Sequence, residues 1–537
     1  MKTRLRLIGL LAAPLPVLAL AAAPATAQTS VRTALRGETV AAVGHATRVG
    51  DLAATGRLSL EVSLAPQNEA GLQTFINEVS DPASPLYQHY LTVAQFADRF
   101  GASAATIQSV TTYLRSEGLT VGAPTANHLT ISTSGTTAQV EQAFGVTLAR
   151  YRQGADGAEF FANSVAPSLP TALAAQVSGV AGLSDYAKHS YYAVPEKTSP
   201  NVTSDITPTK ARSGYNLTTD ISDGYNGSGE TIGLVEFSAY TASDVAKYNS
   251  NYSLGASVPT VVKVSGGTTD KSGEVEDELD IEVANALAPK ATVDVYEAPN
   301  TDAGEVALYA ALVSNDIPVI SSSWGEPETE EDNLTSDDAD FEEAAAQGQS
   351  IYSASGDSGA DDNGSSLSVD YPASDPYVTG VGGTDLTLTS SGAWSKETGW
   401  SDGGGGVSVE WATPSFQKSV NSGSFRDVPD VSADADPSSG WYIYTEGGFE
   451  EVGGTSAAAP NWASFTADYD TAAADLGKAK FGFSDAFIYT VAESSAYSSA
   501  FHDITSGNNG GYSAKTGYDQ ATGWGSYNGG NFISDEL

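Results

Sequence analysis

The sequence predicts an α/β protein, a parallel sheet with helices on both faces, preceded by a separate α+β unit. Three observations carry this. Across residues 231–354, short β-rich apolar runs alternate with helical stretches, the rhythm of a parallel sheet covered on both sides. The charge changes character along the chain: residues 1–196 hold 12 Lys+Arg against 13 Asp+Glu, leaving 13 basic and 53 acidic residues beyond. A length of 537 residues gives room for two or three domains with sizeable cores.

Taken in order, the chain opens like a secretory signal over 1–27. Lys2, Arg4 and Arg6 precede an apolar run over 7–23, and Ala25-Thr26-Ala27 offers small residues for cleavage before Gln28. Within 28–184, strands are expected over 58–64, 128–132 and 146–151, and helices over 69–79, 104–117 and 136–144. Thr92 is placed to cap a further helix ending at Phe100. Residues 185–209 lose any period and read as an exposed linker and natural processing site.

The peptide from 210 to 537 forms the acidic domain. Strands are expected over 231–237, 260–264, 292–297, 317–322 and 350–354, with helices over 243–249, 274–288, 302–315 and 338–347. Such sheets carry their chemistry at the carboxyl ends of strands. Residues 380–454, rich in Gly, Ser and Asp, read as loops and hairpins around a cleft. Gly453-Gly454-Thr455-Ser456 then leads into an alanine run, which sets a serine at a helix N-terminus where developing negative charge is favoured. Pro460 is expected in the first helical turn, where its missing N–H costs little.

Composition narrows the chemistry. With no cysteine, disulfides, thiol catalysis and Cys-zinc sites are excluded. A net charge of −41 repels nucleic acid and anionic membrane, so neither is an expected partner. No stretch after the signal is apolar for long enough to span a bilayer, which points to an exported, extracellular protein.

A serine nucleophile needs a base. Of five histidines only His502 lies beyond the linker, beside Asp503, so a Ser/His/Asp triad is conceivable. The alternative is carboxylic. On a helix Glu276 and Asp280 are four apart and share a face, and two such carboxyls tend to share a proton, which suits work at acid pH. Read alone, the same pair could be a solvated acidic face. Asp357, in Ser355-Gly356-Asp357-Ser358-Gly359 after a strand, could donate to an oxyanion when protonated, or merely shape a turn.

The motifs Gly-Thr-Ser-Ala-x-x-Pro at 454–460, Glu-x-x-Leu-Asp-Ile at 276–281 and Ser-Gly-Asp-Ser-Gly at 355–359 resemble those of the sedolisins, the serine-carboxyl peptidases, most closely the kumamolisin type. Asp81-Pro82-Ala83-Ser84-Pro85-Leu86-Tyr87, Ser323-Trp324-Gly325, Val428-Pro429-Asp430-Val431 and Asp503-Ile504-Thr505 extend the likeness over nearly the whole chain. It implies a subtilisin-like fold over 210–537 behind an activation prodomain at 28–184, with processing inside 185–209. It also implies Ser456 as nucleophile, Glu276 as general base, Asp280 as the residue that orients it and Asp357 as oxyanion donor. Glu236 and Trp324 stand where that pattern extends the hydrogen-bond chain, and Asp370 where a residue faces the substrate pocket and favours a basic side chain.

The resemblance further implies one structural Ca2+, with carboxylates from Asp503 and Asp519 and carbonyls from Ile504, Lys515 and Gly517. Lys515-Thr516-Gly517-Tyr518-Asp519 departs from the common Gly-Pro-Gly-Tyr/Trp-Asp, but a carbonyl ligand needs no particular side chain. The expected protein is a monomeric, secreted, acid-active endopeptidase made as a zymogen. Its partners are protein or peptide substrates and its own prodomain as inhibitor and chaperone. A tripeptidyl exopeptidase of the same family, or a secreted binding protein on an inactive scaffold, are the other readings.

Overall fold

The computed structural model describes residues 31–35, 39–153, 157, 159–186, 189–195, 206–331 and 334–537. The signal over 1–27 and residues 187–188 and 196–205 of the expected linker lie outside these.

The first unit is built on a four-stranded antiparallel sheet ordered Thr120–Pro124, Thr130–Thr136, Arg57–Leu64, Val177–Ala181. Helices Glu69–Ser80, Val93–Arg99, Ala104–Ser116 and Thr137–Phe144 accompany it. Thr92 and Thr136 each close a capping box, with Gln95 and Gln139 reaching back, so both helices start where the sequence has Thr-x-x-Gln. A second sheet joins Thr47–Asp51, Leu148–Arg152 and Glu159–Asn163.

The second unit carries an eight-stranded sheet: β1 (Thr231–Glu236), β2 (Thr260–Lys263), β3 (Thr292–Glu297), β4 (Val319–Ser322), β5 (Ser350–Ala354), β6 (Thr379–Leu388), β7 (Trp394–Gly399) and β8 (Val431–Asp434). The spatial order is β2-β3-β1-β4-β5-β6-β7, with β8 also beside β6, and only β6–β7 is antiparallel. Helices α1 (Glu274–Leu287) and α4 (Thr455–Leu476) pack on one face, α2 (Asp302–Ser314) and α3 (Leu334–Gln347) on the other. Successive strand residues serve opposite cores: Leu234 joins Leu279, Val283 and Trp462, whereas Val235 joins Leu308, Leu312 and Phe341.

Two regions differ from expectation. Within the span read as loops and hairpins, β6 and β8 are buried sheet strands. Glycine hides this, because the backbone is crowded where a side chain would stand: a Cβ at Gly383 would meet the Trp400 ring at 2.7 Å and Ala435 at 2.9 Å. The second is the linker. Residues 189–195 are extended, with His189, Tyr192 and Ala193 buried against the second unit.

The first unit docks on α3. Leu72, Phe75, Phe96 and Leu129 form one cluster with Ala339, Ala345, Ala346 and Phe483. Asn127 Nδ2 donates to Glu343 Oε2 at 2.6 Å and lies 3.1 Å from Asp340 Oδ1, and Leu91 N–H donates to the Ala346 carbonyl at 3.0 Å.

Candidate active site

Strand Gly448–Gly453 runs directly into α4, and Gly454 at the junction has φ 102°, a left-handed value that glycine accepts. Ser456 is therefore delivered, fully buried, in the first turn of α4. Pro460 lies one turn further in than expected. It lacks the N–H that would bond the Ser456 carbonyl. Ser323 Oγ approaches that carbonyl at 3.2 Å and Asp280 Oδ1 at 2.9 Å, so the proline frees an acceptor that a neighbouring strand end fills.

The Ser456 hydroxyl donates to Glu276 Oε2 at 2.9 Å. Glu276, Asp277 and Asp280 on α1 are all buried, so this is no solvated acidic face. Burial first, then the charge of Glu236, pushes Glu276 and Asp280 well above the ordinary carboxyl range, and the two hydrogen-bond to each other, which requires a shared proton. Glu236, at the end of β1, accepts from Trp324 Nε1 at 2.8 Å and bonds Asp277. Burial raises Glu236 to about 7. The expected Glu236–Trp324 pair is thus assembled, but it reaches α1 through Asp277, which the sequence reading did not single out.

Asp357 follows β5. Its Oδ1 accepts from the Thr455 N–H at 2.8 Å and the Thr455 hydroxyl at 2.7 Å, leaving Oδ2 without a partner. Burial raises it to about 8 against those two donors, so it is neutral in acid and Oδ2 can carry the proton. Glu236, Ser323 and Asp357 all stand at or just beyond the carboxyl ends of β1, β4 and β5, where an open α/β sheet leaves a crevice.

The linker threads this crevice. Ser190–Tyr191 pairs antiparallel with Trp324 and Gly325, and Val194–Pro195 pairs with Gly453 and Val452. Between them the Tyr192 N–H donates to Ser456 Oγ at 3.1 Å and the Ala193 N–H to Glu276 Oε2 at 2.6 Å. A Cβ on Gly454 would lie 1.6 Å from the Tyr192 carbonyl oxygen and 2.7 Å from Asp357 Oδ2, so both oxygens border the same point. The Tyr192 hydroxyl bonds Asp370 Oδ2. Burial and Asp362 hold Asp370 well above the usual carboxyl range. The phenol donates to Asp370 and so favours its ionised form against that burial.

His502 takes no part here. It pairs with Ser526, stacks on Trp394 at 4.2 Å, and burial lowers it to about 4. The Ser456 hydroxyl goes to Glu276 instead. The five expected calcium residues share one loop region: Gly517 N–H donates to Asp503 Oδ1 at 3.0 Å and Lys515 N–H to Asp519 Oδ2 at 2.7 Å. Both carboxyls bear on the Tyr497 hydroxyl. Asp503 and Asp519 are thus drawn to one loop region and are of the hard-oxygen type that calcium takes.

Residues 44–186 match the family described as "Pro-kumamolisin, activation domain" and residues 261–525 the "Subtilase family". Xanthomonalisin of Xanthomonas sp. (strain T-22) is 34% identical over 88% of this chain, which spans 64% of that protein's length. Kumamolisin of Bacillus sp. (strain MN-32) is 32% identical over 90% of this chain and 93% of its own. The solved structure of Pseudomonas sedolisin, a serine-carboxyl proteinase complexed with two molecules of pseudo-iodotyrostatin, superposes with a TM-score of 0.56 at 30% identity, covering 62% of this chain and 98% of that one. These likenesses agree with the subtilisin-like α/β architecture, and by them the chain belongs to the sedolisin family of serine-carboxyl peptidases, with an activation domain of the pro-kumamolisin kind.

Proposed function

We propose that this protein is a secreted, acid-active serine-carboxyl endopeptidase made as a zymogen that cuts its own linker at Tyr192–Ala193. One observation carries the reading: that peptide bond lies across the candidate catalytic groups, its amide on Glu276 and its carbonyl oxygen bordering the same point as Asp357 Oδ2. Ser456 Oγ attacks the Tyr192 carbonyl carbon while its proton passes to Glu276. The new oxyanion receives the Asp357 Oδ2 proton as a hydrogen-bond donor. Glu276 then gives its proton to the Ala193 nitrogen, the C–N bond breaks, and Tyr192 remains as an ester on Ser456. Water, deprotonated by Glu276, attacks that ester and releases the carboxyl product. Asp280 keeps the shared proton that lets Glu276 alternate between base and acid.

Internal cleavage is favoured over tripeptidyl release because the chain continues through the cleft on both sides of the bond, His189–Tyr191 upstream and Val194–Pro195 downstream. The signal over 1–27 supports secretion. Calcium would be held by Asp503 and Asp519 with carbonyls of Ile504, Lys515 and Gly517, and would supply positive charge that ties the C-terminal loop. The test incubates purified precursor at about pH 4, in the carboxyl titration range, beside a Ser456→Ala variant. The reading expects the parent alone to shorten and to cut casein; equal shortening of both, or no cutting by either, refutes it.

A further inference from the structure

We propose that His189, Glu305 and Glu331 form a site for a divalent transition metal of the zinc class, built jointly by the linker and the peptidase domain. Their ligand atoms lie within 4.8 Å of one another and all three residues are buried. His189 Nε2 is 3.3 Å from Glu305 Oε2, with side chains 2% and 3% exposed. Neither atom makes a hydrogen bond. An imidazole nitrogen buried to that degree and aimed at carboxyl oxygens, yet not aligned to bond them, is in the relation that ligands of a common ion adopt.

The histidine is held for this purpose from three sides. Its N–H donates to Asn300 Oδ1 and its carbonyl accepts from Asn300 Nδ2, each at 2.9 Å. Its ring stacks on Phe237, centroids 4.7 Å apart and planes 28° from parallel. Glu305 projects from the first turn of α2. The groups acting most strongly on Glu305 are other carboxyls, Glu331, Asp337, Glu326 and Asp302. A divalent ion bound among these carboxyls would displace their protons and hold the oxygens as ligands. One imidazole with carboxylate oxygens selects zinc-class ions over calcium, which takes oxygen alone.

A cleft of about 730 Å³, lined in part by Asp185, His189, Asn300 and Thr301, leads to the histidine. The ion would therefore clasp the linker to the peptidase domain three residues upstream of Tyr192. The site itself does not depend on where the linker is cut. Its loss on maturation does rest on the proposed cleavage, which leaves His189 on the prodomain fragment.

The experiment uses the full-length Ser456→Ala precursor, its intact length verified by mass before and after, so failure of the cleavage reading leaves the metal result untouched. Zinc chloride is added at neutral pH in excess calcium, and bound zinc is counted by elemental analysis after dialysis. One zinc per chain is expected, with affinity falling at least tenfold when His189→Ala or Glu305→Gln is added. Cobalt in place of zinc should give a visible spectrum of nitrogen and oxygen ligation that His189→Ala abolishes. A precursor that retains no zinc, or affinity unchanged by both substitutions, overturns the proposal, and the first of these outcomes needs neither variant to fold. Mature chain from the parent protein should retain none of the zinc that His189→Ala removes.

Discussion

The Ala193 N–H donates to Glu276 Oε2 at 2.6 Å, the same oxygen that accepts the Ser456 hydroxyl at 2.9 Å. One carboxyl oxygen thus touches both the serine hydroxyl and the amide nitrogen of the bond proposed to be cut. This is the requirement for a group that takes a proton in the first half of the reaction and returns it in the second. Glu276→Gln keeps the shape but cannot accept that proton, and its precursor should stay intact in acid. Asp280→Asn should slow shortening by about 10²–10⁴-fold, read as the rate of precursor loss on gels at about pH 4.

Asp357 is held at about 8 by burial. Below that value the carboxyl is neutral and donates to the oxyanion; above it the group is ionised and repels it. Shortening of the precursor should therefore slow as pH rises through about 8. Asp357→Asn keeps an N–H donor that does not titrate, so this alkaline loss should disappear from its profile. Asp357→Ala should lose about 10²–10³ in kcat. The rate of precursor loss across pH, with kcat on a peptide substrate for Asp357→Ala, checks all three.

The face that receives the prodomain is lined with raised carboxyls: Asp340 at about 8 and Glu342 at about 9, both chiefly through burial. Their pKa values in the unfolded chain lie near 4. Between these limits the folded state binds more protons than the unfolded one, so stability falls with rising pH. Their contribution is complete below about 4 and is lost as pH rises through 8 and 9. The melting temperature of the Ser456→Ala precursor should decline from acid to mildly alkaline buffer, and Asp340→Asn should flatten the decline. A flat or rising trend in the parent contradicts this.

If calcium ties the C-terminal loop, it binds the native chain alone and stabilises by mass action. An excess of about 100 times its Kd would add about 2.7 kcal/mol. A chelator should lower the melting temperature, readdition of calcium should restore it, and Asp519→Asn should remove the response.

What the sequence made legible were features with a local signature. The strands over 231–354 show as β-branched runs between helical spacings, and the Thr-x-x-Gln caps at Thr92 and Thr136 show as side-chain chemistry within one turn. β6 was hidden because Thr379-Gly380-Val381-Gly382-Gly383 carries the composition of a loop, and the reason for those glycines lies in Trp400, Ala435 and Pro429 packed against them.

The site divides the same way. Ser456, Glu276, Asp280 and Asp357 stand in recognisable motifs. Ser323 was visible only as part of Ser-Trp-Gly, and its approach to the carbonyl freed by Pro460 depends on a contact 133 residues distant in sequence. Asp277 reads as one more acid on an acidic helix, since its partner Glu236 comes from the end of β1. The linker read as exposed because its Tyr, Ser and Pro residues have no period, yet its partners Ser456 and Glu276 are 264 and 83 residues away.

The central claim is that Ser456 acts on the bond laid across it. The most direct measurement is the intact mass and N-terminal sequence of the large fragment formed when the precursor is incubated at about pH 4 without other proteases, before any secondary trimming. Cleavage at Tyr192–Ala193 predicts a first fragment that begins Ala193-Val194-Pro195 and is absent from Ser456→Ala. A first fragment beginning elsewhere, or the same fragment from Ser456→Ala, would contradict it.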